Sequence, residues 1–134
     1  MSYDSITDVV LYNIHRDEMA AEKKAAYRPL VYICSPYAGD TAENVKNARR
    51  YSRFAFEQNT IPIAAHLLFP QFMNDENPIE REAAMHFNYV LLGKCDELWV
   101  FGNTISSGMA HEIEIAKKRR QKIRYFSEDC KEAA

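Results

Sequence analysis

The chain has 134 residues, 47% of them apolar and 27% charged, with a formal net charge of −2. These values fit a single globular domain and exclude a disordered, collagen-like or low-complexity chain. No apolar run reaches the roughly 18 residues that a membrane span needs, and the small net charge gives no reason to expect nucleic acid as a partner.

No basic stretch followed by an apolar one opens the chain, so no secretory signal is read there. Cys34, Cys95 and Cys130 are odd in number and far apart. They form neither a disulfide framework nor a metal-ligand pattern, and a reducing, cytoplasmic setting is expected. Charge is unevenly spread: residues 1–29 sum to −1, 30–116 to −5 and 117–134 to +4. Two readings fit the Lys117-Lys118-Arg119-Arg120 cluster: cations that complement a helix end, or a surface that attracts phosphate.

Residues 1–28 are read as an N-terminal helical extension, with Ile6, Val9, Val10 and Ile14 as its apolar positions. It packs either on the domain or on a neighbouring subunit. Residues 29–134 are read as the domain proper. Val31–Cys34 is a short apolar run of the kind that makes a strand buried on both faces. After a loop, Val45, Ala48, Ser52, Ala55 and Phe56 fall on one face of a helix that runs from Ala42 to near Asn59. Ile61–Ala65 reads as a second strand, its proline placing it at an edge or a strand start. His66–Asn77 is a long connection, and long connections in compact domains are often functional.

A second helix starts at Pro78 with Asn77 as its cap, and Ile79, Ala83, Phe87, Val90 and Leu91 are its expected buried stripe. Glu97–Phe101 is the third strand, Ser107 to about Gln121 the third helix and Lys122–Phe126 the fourth strand. This alternation predicts an α/β fold, a parallel sheet of four to five strands with Val31–Cys34 central and helices on both faces. Ligands in such sheets bind beyond the carboxyl ends of the strands.

Several residues near those ends could carry chemistry. Glu112 lies shortly after Ser107-Gly108. It reads as a carboxylate nucleophile or base, or as a first-turn glutamate that stabilises its helix start. Tyr32, inside the first strand, either orients a neighbouring carboxylate or is a core tyrosine. Asp96 opens the third strand, at the end away from the expected crevice, and position favours a structural role. His66, Phe69 and Phe72 place rings in the long connection, to stack a flat base or to cover the sheet edge. The four histidines show no metal-ligand spacing. Neither a serine-hydrolase elbow, a dinucleotide-binding glycine motif nor a P-loop occurs.

Three segments together resemble the nucleoside 2-deoxyribosyltransferase superfamily, in particular its small bacterial and phage branch. They are Val31-Tyr32-Ile33-Cys34-Ser35-Pro36-Tyr37, Cys95-Asp96-Glu97-Leu98-Trp99-Val100-Phe101, and Ser107-Gly108-Met109-Ala110-His111-Glu112-Ile113-Glu114-Ile115-Ala116. The resemblance covers about residues 30–127. It implies a Rossmann-like or flavodoxin-like fold acting on N-glycosidic bonds of nucleosides or nucleotides, without metal or organic cofactor. It makes Glu112 the residue that attacks the anomeric carbon and Tyr32 the residue that orients it. It places Ser35, Pro36, Tyr37, His66, Asn88, Asp96, Ser107 and Gly108 around the substrate.

Two positions depart from the family pattern. Asn88 stands where the family usually has an aspartate, and an amide is no general acid. Glu114 replaces a glycine. A hydrolase, or a non-catalytic nucleotide-binding module using the same pocket, is therefore kept beside the transferase. Residues 1–28 and the Phe69–Met73 loop carry more apolar side chains than a small monomer needs, and the resemblance also implies assembly. A homodimer or higher oligomer is expected, tested by light scattering at micromolar concentration, where a monomer mass would rule it out.

Overall fold

In a computed structural model, residues 5–25 and 27–134 are described. The elements run α1 (Ile6–Ala25), β1 (Leu30–Cys34), α2 (Thr41–Glu57), β2 (Ile61–Ile63), α3 (Pro78–Lys94), β3 (Glu97–Phe101), α4 (Ser107–Lys118) and β4 (Lys122–Phe126). The four strands pair in the order β2-β1-β3-β4, all parallel, with Tyr32 opposite Leu98 and Ile63. β1 is thus central, and β2, which carries Pro62, is an edge, as the sequence predicts.

Alternation along β1 builds two cores. Val31 and Ile33 point to one face and pack with Tyr51 and Ala55 of α2 and with Trp99, Phe101 and Phe126. Tyr32 and Cys34 point to the other, against Leu92 of α3, Leu98 and Val100 of β3, and Met109, Ile113 and Ala116 of α4. The period of two therefore sends Tyr32 toward α4 and fixes on which side of the sheet a site can form.

Several boundaries differ from the sequence reading. β2 stops at Ile63, and Ala65–Leu67 and Phe69–Gln71 are 3-10 turns, so the expected loop is partly helical. α4 stops at Lys118 because Arg120 takes a left-handed conformation, φ 57°. On α2, Ala48, Tyr51 and Ala55 are buried, whereas Phe56 is exposed beneath the guanidinium groups of Arg28 and Arg53.

The expected stripe of α3 holds only in part: Leu91 packs against the core and Ala83 is half-buried, but the other three positions face solvent. Ile79 is 80% exposed, and Phe87 and Val90 are exposed too. Asn77 does cap the helix, accepting from the Ile79 and Glu80 N–H groups. The inward face carries Arg81, Ala84, Met85, Asn88 and Tyr89, which line a cavity, and then Leu92, which enters the core. Those positions recur at helical spacing; apolar residues occur on the other faces as well, so periodicity alone could not select this one. Phe87 instead meets Phe69 of the preceding connection, ring centroids 5.4 Å apart.

Side chains of α1 from Ile6 to Ala21 are all exposed, which removes packing on the sheet domain as their role. Residues 1–4 and 26 of the expected extension lie outside the described residues. No helix among the described residues is long and apolar enough to cross a membrane.

Asp96 has a structural task. Its Oδ2 accepts the Leu30 N–H at 2.8 Å, tying the start of β1 to the start of β3. Replacing Asp96 with alanine is expected to cost about 1 kcal/mol, measured by denaturant unfolding. Ligand binding at the opposite sheet edge should be retained.

Candidate active site

The carboxyl ends of β1 and β3 face the start of α4, where the chain leaves the sheet toward opposite faces. Such a switch point opens a crevice, and here it holds a cavity of about 240 Å³. Ser106 caps α4 by accepting the Met109 N–H. The buried positions of α4 are Met109, Glu112, Ile113 and Ala116, one helical stripe facing the sheet. Glu112 sits on the apolar face of its helix, beyond the first turn. The alternative of a solvated, helix-starting glutamate is therefore excluded: its residue is only 4% exposed.

That burial sets its chemistry. Desolvation pushes the Glu112 carboxyl up to about 7, and the Tyr32 phenol, by favouring the carboxylate, partly opposes this. Tyr32 is itself held well above the usual phenol range, first by burial and then by the Glu112 charge. Tyr32 Oη and Glu112 Oε2 are both buried without a hydrogen-bond partner of standard geometry. Each shifts the other's ionisation without closing a short bond. Ser35, 2% exposed, adds a third unpaired oxygen, and Asn88 Oδ1 a fourth. Buried polar atoms are ordinarily paired. Glu112, Ser35 and Asn88 all border this cavity, and Tyr32 lies behind Glu112. A polar ligand would satisfy them.

The walls are flat on one side. Tyr37 stacks on His66, centroids 4.9 Å apart and planes 27° off parallel. Burial lowers the pKa of His66, opposed by backbone hydrogen bonding at Ser35 and by the Asp75 charge. Ser107 and Gly108 border the cavity at the start of α4, and a Cβ built on Gly108 meets nothing within 4 Å.

Of the residues expected around the substrate, Ser35, Tyr37, His66, Asn88, Ser107, Gly108 and Glu112 come together here. Two expectations need correction. Pro36 faces a separate cavity of about 60 Å³ on the α2 side, since the chain turns there after Ser35. Asp96 is at the opposite sheet edge, held by the Leu30 N–H. Sequence reasoning missed Asp75, Arg81, Met85, Tyr89 and His111, which also line the cavity. Arg81, Met85 and Tyr89 share the face of Asn88, so Asn88 taken as the reference position would have pointed to them.

A family model described as a domain of unknown function, DUF7768, matches residues 29–126. The chain belongs to the DUF7768 family. The matched span contains all four strands and the whole cavity lining. No curated protein matches the chain. Among solved structures, a 2-deoxyribosyltransferase from Bacillus psychrosaccharolyticus is similar with a TM-score of 0.62 and 13% identity, over 73% of this chain and 72% of that one. This DUF7768 chain and that transferase are thus distantly related in fold.

Proposed function

We propose that this chain cleaves or transfers the N-glycosidic bond of nucleosides or nucleotides, with Glu112 as nucleophile. One observation carries the reading: a buried carboxylate with an unpaired oxygen in the wall of a switch-point cavity, backed by the Tyr32 phenol. In the proposed reaction a Glu112 oxygen bonds to the anomeric carbon as the C–N bond breaks, and the electron pair leaves with the base. Water, or a second base, then attacks the same carbon and releases the carboxylate. Two displacements retain configuration. Tyr32 steers the carboxylate, and the stacked Tyr37–His66 pair offers a flat wall.

The test is free-base release from a panel of nucleosides and 5′-nucleotides, followed by chromatography. Saturable release supports the reading; its absence across the panel contradicts it. Replacing Tyr32 with phenylalanine should lower kcat by roughly ten- to a hundredfold, because the nucleophile stays but loses orientation.

The amide of Asn88 and the raised pKa of Glu112 favour one second reading, a nucleotide-binding module without turnover. Saturable binding without base release would select it. We further propose that the exposed apolar side chains of α1, Ile6 and Leu11 among them, mediate self-association.

A further inference from the structure

The cavity around Glu112 is small. Sites for whole ligands usually span roughly 300–1,000 Å³, and this one has about 240 Å³. It continues outward: Asp75, Arg81 and Met85 line both it and a second cleft of about 450 Å³ against the first turns of α3. That cleft adds Glu76 and Glu82. The path to Glu112 thus passes three carboxylates and one cation. Among the described residues no ion pair joins Arg81 to any of them, so the carboxylates are not neutralised by close pairing. Acidic residues at a rim mean little alone. Here they lead to a buried carboxylate with an unpaired oxygen and to Ser35 Oγ, also buried and unpaired.

The inner chemistry has the same bias. A neutral base leaving a sugar needs a proton, and a positioned acid supplies it. Beside Glu112 the inner wall of α3 offers Asn88, an amide, with Oδ1 unpaired. His66 is held toward its neutral form by burial. Asp75 and His111 also line the cavity, and both are exposed to solvent.

We infer that the substrate is an N-glycoside whose base is already a cation, such as a ribosylated pyridinium or an N-alkylated purine nucleoside. This rests on the glycosidase reading and narrows it. The step then balances without an acid. Glu112 bonds to the anomeric carbon, the C–N bond breaks, and its electron pair cancels the positive charge on the ring nitrogen. The base departs neutral. Water attacks the glycosyl ester, yields the sugar and a proton to solvent, and restores the carboxylate. Three features of the site suit such a ligand: carboxylates along the path attract it, the Tyr37 ring offers a face for a planar cation, and its charge favours the ionised form of Glu112.

The experiment compares base release from 1-(β-D-ribosyl)nicotinamide with release from uridine, adenosine and their 2′-deoxy forms, using the full chain. The expected kcat/KM is higher for the cation by at least about a hundredfold, the scale of the missing acid catalysis, and falls as salt is raised. The double variant Asp75→Asn, Glu82→Gln should raise KM for the cation several-fold and flatten its salt dependence. Asn88→Asp, nearly isosteric, should raise release from neutral nucleosides at least about tenfold by supplying an acid. Neutral nucleosides cleaved as well as the cation would overturn this inference and leave the glycosidase reading standing. No release from either class would sink the glycosidase reading; titration calorimetry with the same compounds then decides charge selection, and equal affinity for cation and neutral nucleosides overturns it.

Discussion

Replacing Glu112 with glutamine is expected to lower kcat for base release by at least about a thousandfold, a far larger loss than any in ligand affinity. The amide keeps the size of the acid and can still accept one hydrogen bond. It cannot carry the charge that meets the anomeric carbon, and that interaction is complete only in the transition state. Release assays and titration calorimetry on the same preparation read the two quantities. Equal rates for the two proteins would remove Glu112 from the mechanism.

The same substitution should stabilise the fold, in a pH-dependent way. Glu112 is pushed up to about 7 by burial, against about 4.5 for the unfolded chain, so the native state favours the proton. Its stabilising contribution is full below about pH 4.5, declines as pH rises and is lost above about 7. Glutamine stays neutral throughout. The variant should therefore match the parent near pH 4 and exceed it above pH 7 by up to roughly 3 kcal/mol. Urea unfolding at both pH values checks this; a constant difference would show that Glu112 does not titrate as its burial implies. Activity runs the opposite way. The nucleophile must be ionised, so kcat/KM should rise with pH and level off above an apparent pKa near 7. In the proposed mechanism stability and catalysis thus conflict at one residue, which is common where a charge is held in an apolar setting.

The sheet was legible because its strands announce themselves. Val31–Cys34 and Glu97–Phe101 are short apolar runs, and central parallel strands, buried on both faces, require such runs. The helix cap Asn77 is local chemistry and visible as such; Ser106, which caps α4, was not read as a cap. Glu112 was visible as a candidate by its place after Ser107-Gly108. Its burial was not, because that depends on α4 turning Met109, Glu112, Ile113 and Ala116 toward β1 and β3.

What sequence could not supply were features set by the path of the chain between elements. The connection from His66 to Asn77 coils into two 3-10 turns, and Asp75 reaches the cavity mouth at its far end. No residue pattern encodes that path. The inward face of α3 was hidden for a different reason: Ile79, Phe87 and Val90 are as apolar as Leu92, but only Leu92 lies over the sheet. Asp96 shows the reverse case, where position alone favoured a structural role and the Leu30 N–H supplies one.

The proposed covalent role of Glu112 can be tested directly by mass. The chain is mixed with a cleavable N-glycoside, quenched in acid within milliseconds to seconds, digested and analysed by mass spectrometry. The account predicts that the peptide containing Glu112 gains one glycosyl unit, attached at that side chain, and that Glu112→Gln protein gains none. Base release at a measurable rate with no adduct on Glu112 at any quench time, or an adduct on another residue, would contradict it.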